Sequence, residues 1–178
     1  MKISTLLKRE PFKKILEETL TDYFNDYYKR SHSVKWNKPK LFSIKPINQV
    51  WLCNPLINSI FLKGVNRQVF DSINGEYKQN TLRPWLSIVQ TVYLFLSQNS
   101  IYSSLIAPYR IEISPHIQGG MNKLIIGGNT KIRILDLAEK KVFVILKKGF
   151  DRKYIDKEIY VRKNFNYLSI PKLYDLGN

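Results

Sequence analysis

The sequence lacks the pairs of cysteine residues that form stabilising disulfide bonds in small secreted proteins. Cys53 is the only cysteine among 178 residues, which excludes an internal disulfide and is consistent with a reducing compartment. Free cysteine usually packs as a small apolar residue. We therefore expect Cys53 to be buried and unreactive.

Long apolar runs are also missing. The most apolar stretch, "WLSIVQTVYLFLSQ", is interrupted by Ser87, Gln90 and Thr91 and is shorter than the ~20 residues that span a bilayer. The first residues, "MKISTLLKREPFKK", contain no apolar run of the length that a secretory signal needs. The sequence therefore predicts a soluble, cytoplasmic protein.

Acidic residues are scarce, with 14 Asp and Glu against 29 Lys and Arg and a net charge of +15. The excess is spread along the chain, but residues 27–70 contain eight bases and no acid. A basic surface attracts phosphates, nucleic acid or anionic membranes. Two interpretations stay open, an anion-binding surface and an ordinary solvated face rich in lysine.

The first 120 residues are predicted to be mainly helical. Residues 11–30 carry apolar side chains at three- and four-residue spacing, which predicts an amphipathic helix with a buried stripe. Residues 82–99 predict a second helix, on which one face collects Trp85, Ile88, Val89, Val92 and Leu96. Prolines break the part between them: residues 40–47 and 49–54 are strands or extended loops, and residues 54–73 are one or two short helices.

The last third predicts a small sheet. Residues 123–130, 131–137 and 141–147 read as three strands joined by short turns, so an antiparallel meander is expected. A helix follows from about Asp151 to Asn164, and residues 170–175 form a fourth extended piece. The predicted fold class is α+β: a mainly helical region, residues 1–120, then an antiparallel sheet with one helix, residues 121–178.

This sheet predicts an arrangement that could bind phosphate. A glycine-containing turn lets backbone N–H groups approach phosphate oxygens, and a lysine reaches them as a positive charge. Since side chains alternate along a strand, Lys147 shares a face with Phe143 and Ile145, and Lys148 is left to solvent. The helix then brings Glu158 toward the end of the third strand.

These segments resemble the small, nucleotide-binding lobe of the protein-kinase-like superfamily, which includes the aminoglycoside-phosphotransferase type. The similar stretches are "KLIIGGNTKIRILDL", "VFVILKK" and "DKEIYVRKNFNYLSIPKLYD", and they cover about a third of the chain. The resemblance implies ATP and Mg²⁺ as ligands. It also implies that Lys147 grips the phosphates, that Glu158 pairs with Lys147, and that the phosphate loop is lined by Gly127, Gly128, Asn129 and Thr130.

The sequence departs from that family in three ways. The turn reads "GGNT" instead of G-x-G-x-x-G, Ile145 stands where kinases have a small alanine, and no H-x-D motif follows either histidine. The resemblance thus implies a fragment, a split partner or a degenerate member of an ATP-dependent phosphotransferase. Its partners would be ATP and a separate catalytic lobe or downstream polypeptide, and the chain alone would not transfer phosphate.

Other interpretations compete with this one. In a second alignment, Asn122 and Asp136 would be Mg²⁺ ligands of the same superfamily, although no acid lies between His116 and Asn122. A nucleic-acid-binding module is another alternative, because Trp36, Phe42 and Trp51 alternate with lysines in the acid-free block, as stacking sites do. Those aromatics are also what a buried core would contain. A scaffold protein without catalysis is the remaining alternative.

Overall fold

The computed structural model describes residues 3–37, 49–77, 84–98 and 100–164. The helices are α1 (Ile3–Arg9), α2 (Phe12–Tyr28), α3 (Arg67–Tyr77), α4 (Pro84–Gln98), α5 (Ser100–Ile106) and α6 (Lys153–Asn164). The strands are β1 (Ser33–Asn37), β2 (Gln49–Asn54), β3 (Ser59–Leu62), β4 (Tyr109–Ser114), β5 (Lys123–Gly127), β6 (Lys131–Asp136) and β7 (Lys141–Leu146). Within the described residues, no helix is long and apolar enough to cross a membrane.

All seven strands form one antiparallel sheet in the order β1-β4-β2-β3-β5-β6-β7, curled into a half-barrel. The predicted α+β class is confirmed, as is the meander β5–β6–β7, in which Gly127 pairs with Ile132 and Lys131 with Leu146. The predicted C-terminal helix is α6. The first 120 residues are not only helical, because they supply four of the seven strands.

The inner face of the curled sheet encloses α1 and α2. Phe12, Leu16, Leu20 and Phe24 recur every four residues along α2 and are all buried, so one stripe of this helix faces the sheet. The helix contacts β1 and β7, the two edge strands, and the sheet therefore wraps around it. Each such side chain stabilises the fold by roughly 1.5–3 kcal/mol when fully buried.

The outer face is covered in its middle by α3, α4 and α5. Leu52, Phe61 and Leu124, from β2, β3 and β5, form a second buried cluster with Val69 and Phe70 of α3. The sheet is thus the middle layer between two helical layers. Toward β6 and β7 the outer face is more open, and this is where α6 is attached by an ion pair.

The structure corrects one prediction in the proline-rich part. The N-terminal half of residues 54–73 was predicted to be helical, but Ser59–Leu62 is strand β3, paired with both β2 and β5. A short apolar run buried on both faces has neither helical nor strand periodicity, which explains the error. Residues 49–54 are strand β2, whereas residues 40–47 and 170–175 lie outside the described part of the chain. The pairing of β3 with β5 carries the sheet across residue 120, and the domain boundary there stays a prediction.

Candidate functional site

The predicted phosphate loop is the turn between β5 and β6, and α1 closes its inner side. Gly127 is buried, and a Cβ atom at this position would lie only 2.8 Å from Cγ1 of Ile3. The backbone N–H of Ile3 donates to Oδ1 of Asn58 at 2.8 Å, and Nδ2 of Asn58 donates to the carbonyl of Gly127 at 3.4 Å. Close packing against α1 is therefore sufficient reason for a glycine at position 127.

The rest of the turn is tight and tied to the neighbouring strand. A Cβ atom on Gly128 would lie 2.8 Å from the carbonyl oxygen of Lys131, so the side chain of another residue would not fit there without a shift. Asn129 at the tip is exposed. The backbone N–H of Lys147 donates to the carbonyl of Thr130 at 2.9 Å, which fixes the turn to the end of β7.

Lys147 lies inside the protein. Its side chain is 0% exposed and forms an ion pair with Glu10, which follows α1. Its Nζ atom also lies 5.3 Å from the ring centre of Phe12 and 4.9 Å from that of Phe150, distances at which a cation is attracted to an aromatic face. In this conformation, α1 and Glu10 occupy the space through which a phosphate would have to approach Lys147.

The predicted alternation along β7 is confirmed. Phe143 and Ile145 pack against the inner core, and Lys147 points to the same side. Lys148 is exposed, as predicted, and its Nζ donates to Asp22 of α2 at 2.9 Å.

The predicted pairing of Lys147 with Glu158 is wrong. Glu158 forms its ion pairs with Lys131 of β6 and Arg162 of α6. Lys131 is paired in register with Leu146, so its side chain leaves the sheet on the face opposite to that of Lys147. Because α6 lies on the outer face, its carboxylate meets the outer lysine. Spacing along the chain predicted that Glu158 lies near the end of β7. It does not determine on which face of the sheet the carboxylate lies.

Lys131, Glu158 and Arg162 form what we call the outer cluster. Glu158 accepts from Nη2 of Arg162 at 2.6 Å and from Nε at 3.1 Å, and also accepts from Nζ of Lys131. Burial opposes ionisation of the Glu158 carboxyl, but these hydrogen bonds and the two positive charges outweigh it and hold its pKa below the usual range. Two cations and one carboxylate give the cluster a net charge of +1.

The outer cluster is partly open and lies beside an apolar strip. The side chain of Lys131 is 16% exposed, in contrast with that of Lys147. Lys131 follows Thr130, so the cluster adjoins the β5–β6 turn. Val144 and Leu146, half-buried on β7, share the outer face with Lys131, and exposed Arg133 is paired in register with Val144. Cations and apolar surface thus occur side by side.

Asp136, a Mg²⁺ ligand in the alternative alignment, already has partners for both carboxylate oxygens. Lys123 donates to one, and the backbone N–H of Glu139 donates to the other at 3.2 Å. Burial disfavours the charged form of Asp136, yet these bonds and the Lys123 charge lower its pKa. Asn122 is engaged separately, with Nδ2 of Asn66 at 3.1 Å. This arrangement is that of a buried structural ion pair.

One of the three aromatic residues proposed for stacking in the acid-free block is not available for it. Trp51 is completely buried in the inner core, as expected if these aromatics are core residues. Trp36 is half-buried and packs against Phe12 and Tyr109. Phe42 lies outside the described residues. The nucleic-acid-binding alternative therefore loses one of its three proposed stacking residues.

Three residues of these sites were not singled out from the sequence. Arg162 could have been found, because a carboxylate and an arginine four residues apart on a helix are neighbours. Lys131 could have been found from strand alternation once the position of α6 was known. Glu10 lies 137 residues before Lys147, and no local signal connects the two.

Comparisons of the chain with protein-family models, curated proteins and solved structures gave no match. The chemistry of the site therefore has to be inferred from its own geometry.

Proposed function

We propose that this chain is a kinase-like nucleotide-binding lobe that holds ATP on the outer face of β6 and β7. The observation that carries the proposal is the outer cluster, in which a helix carboxylate, Glu158, holds Lys131 directly after a glycine-containing turn. The sequence predicted an arrangement of this kind around Lys147, at the end of the third strand; here the lysine is Lys131, at the start of β6. A lysine fixed by a carboxylate is pre-organised to meet a phosphate.

The charges of the cluster suit a phosphate group. A phosphate oxygen would accept hydrogen bonds from Lys131 and Arg162, and the net positive charge of the cluster would offset part of its charge. Glu158 would keep both cations in place. Backbone groups of the turn, from Gly128 to Thr130, lie next in the chain and would approach the same phosphates.

The outer face also offers a surface for the base. Val144 and Leu146 are half-buried apolar residues on the same face as Lys131, and nucleotide sites combine apolar contacts for the ring with a few polar groups for orientation. Mg²⁺ would be held mainly by the phosphates, as is common for this ion.

Lys147 has a different role in this proposal. With its side chain sealed against Glu10, it anchors the end of β7 to α1 and fixes the turn through its backbone bond to Thr130. The exposed side of the turn then remains for the ligand. If the nucleotide instead used Lys147, α1 would have to leave the inner face first.

Ligand-induced thermal stabilisation tests the proposal. Binding to the folded state raises the melting temperature as ligand concentration increases, so ATP with Mg²⁺ should stabilise the wild type in a saturable way. Lys131→Ala should abolish this stabilisation. Lys148→Ala is the matched control, since Lys148 is also a lysine at a strand end with one carboxylate partner, Asp22, and it should keep the full response.

Several outcomes would contradict this placement. If the wild type shows no stabilisation, the chain does not bind ATP under these conditions. If Lys131→Ala responds like the wild type, the nucleotide uses another cation. Tripolyphosphate is a second probe: equal stabilisation by ATP and by tripolyphosphate would mean that the base makes no contact. A response to nucleic acid that falls steeply with salt would favour the basic-surface alternative.

Catalysis would need residues beyond this lobe. Kinase-type transfer uses an aspartate near the acceptor hydroxyl and a metal-binding Asp and Asn pair, which in this proposal come from a separate catalytic lobe working in the cytoplasm. With labelled ATP, Mg²⁺ and generic acceptors, this chain alone should therefore show no transfer above the buffer rate. Transfer that a point mutation in this chain removes would show that the chain has its own catalytic site.

A further inference from the structure

The surface formed by α4 and α5 is apolar and free of charge. Residues 84–109 contain no Asp, Glu, Lys or Arg, in a protein with 43 such residues (29 bases and 14 acids). On α4 the exposed large apolar residues are Trp85, Ile88, Val89, Val92 and Phe95, and on α5 they are Tyr102 and Leu105. We call these seven side chains the α4–α5 face. Four of them, Trp85, Ile88, Val89 and Val92, were predicted to share one face of a helix.

The orientation of α4 explains why this face points outward. The hydroxyl of Tyr93 donates to Oδ1 of Asn54 at 2.9 Å, and Ser97 is buried one turn further along the helix. Tyr93 also packs against the outer-face core cluster. These contacts fix which side of α4 meets the sheet, and the stripe from Trp85 to Phe95 lies on another side.

The face is large for a monomer. Its side chains are between 48% and 73% exposed, and aromatic side chains measure ~150–250 Å² each, so the three rings alone expose on the order of 300 Å². With four aliphatic residues added, the face is at or above the ~300–600 Å² of the largest apolar patch on a typical monomer. That area approaches the roughly 800 Å² that each partner buries in a standard protein–protein interface.

We propose that the α4–α5 face is a homodimer interface, on which a second copy of this chain packs its own α4–α5 face around a two-fold axis. Homodimer interfaces are the most apolar class, and their cores are depleted of charge. A two-fold interface needs a surface that complements itself, and a face without charges meets its own copy without like-charge repulsion.

Other occupants fit this face less well. A charged partner would find nothing to pair with, since no charged residue lies between residues 84 and 109. Helices that lie on membranes carry Lys and Arg on their polar face, and this segment has none. Elsewhere on the chain the net charge of +15 makes two copies repel each other, so salt that screens this repulsion should strengthen the dimer.

Sedimentation over a range of protein and salt concentrations tests the proposal. The wild type should form a dimer whose population rises with both. Val92→Glu places a charge at the centre of the face and should give a monomer under the same conditions. Val142→Glu is the matched control, because Val142 is the same residue type, is 56% exposed against 52% for Val92, and lies on β7, four strands from the β2 strand that α5 contacts. It should remain dimeric.

Folding of each variant is checked by circular dichroism, and a second variant, Ile88→Glu, covers the possibility that Val92→Glu unfolds. A wild type that stays monomeric at high protein and salt concentration overturns the proposal. A dimer that persists in both folded glutamate variants overturns it too, because the interface would then lie elsewhere. A monomer that binds phosphatidylcholine vesicles through this face would show that it meets lipid instead.

Discussion

Two lysine–carboxylate pairs lie on opposite faces of the same pair of strands, and their surroundings differ sharply. Lys147 is enclosed between the sheet and the N-terminal helices, with its side chain 0% exposed, whereas the side chain of its partner Glu10 is 18% exposed. Lys131 and Glu158 are on the outer face, where both side chains keep some contact with solvent and Arg162 shares the carboxylate. The lysine is thus sealed in the first pair and partly accessible in the second.

The difference separates a structural role from a binding role. A buried ion pair gains attraction in a medium of low dielectric constant, but each ion has first lost its hydration, so the pair adds little net stability while the loss of one partner is costly. An accessible pair can exchange its partner for a ligand at low cost. Glu10 and Lys147 therefore hold α1 to β7, and the outer cluster is the place where an anion could bind.

The largest effect on stability is expected when one partner of the Glu10–Lys147 pair is removed. Glu10→Ala leaves the buried Lys147 ammonium without its carboxylate, so the free energy of unfolding should fall by about 3–5 kcal/mol. Urea-induced unfolding followed by circular dichroism measures this change. The paired replacement Glu10→Leu with Lys147→Met removes both charges and should restore most of the loss.

A small effect of Glu10→Ala would show that water reaches Lys147, and that the inner side of the site is more open than the contacts with Phe12 and Phe150 indicate. The outer pair sharpens the contrast: Lys131→Ala should shift the urea midpoint much less than Glu10→Ala, because Glu158 keeps Arg162 as a partner.

The next largest effect concerns the turn that separates the two pairs. Gly127→Ala would place a Cβ atom 2.8 Å from Ile3 and 3.2 Å from Phe12, and overpacking of this kind costs about 1–3 kcal/mol. Thermal unfolding measures the loss. In a double-mutant cycle with Ile3→Ala, which removes the Cγ1 atom that the new Cβ atom would meet, the pair should lose less stability than the sum of the two single changes.

If the effects of Gly127→Ala and Ile3→Ala simply add, the glycine is not needed for packing against α1. A role in backbone approach to a ligand would then become the better explanation for it. The cycle therefore distinguishes the two explanations for the same glycine.

Local patterns in the sequence predicted the parts of the fold that depend on near neighbours. The stripe on α2, the meander β5–β6–β7 and helix α6 follow from spacing along a few residues, and the structure confirms them. Alternation along β7 also correctly placed Lys147 with Phe143 and Ile145 and left Lys148 exposed. The turn at Gly128 and Asn129 was predicted from residue types alone.

What the sequence could not supply was the position of whole elements relative to one another. Glu158 was expected to meet Lys147 because both lie near the same strand end, but the choice of sheet face depends on where α6 packs. Glu10 reaches Lys147 only because α1 and α2 enter the curl of the sheet. For α4, spacing predicted an apolar stripe, but Tyr93 and Ser97 are the residues that face the sheet. Periodicity shows that a face is apolar, not what covers it.

The smallest of these effects is a change in the pH dependence of stability. The pKa of Glu158 lies below its ordinary value of 4.5 because Lys131 and Arg162 favour the carboxylate despite its partial burial. The stabilisation that the ionised group provides is therefore fully present above pH 4.5 and is lost as the pH falls through the lower, folded-state pKa. Glu158→Gln cannot titrate, so its urea midpoint should be lower than that of the wild type near neutral pH and should fall less on acidification. A residual fall will remain, since the pKa of Asp136 is lowered as well.

Glu139→Gln is the control, because Glu139 is exposed and contacts Lys141 only at 3.5 Å. The pH dependence of its urea midpoint should follow that of the wild type. If the urea midpoints of the wild type and Glu158→Gln change in parallel with pH, the Lys131–Glu158 pair is not formed in solution. The contrast between the buried lysine and the accessible one would then no longer hold.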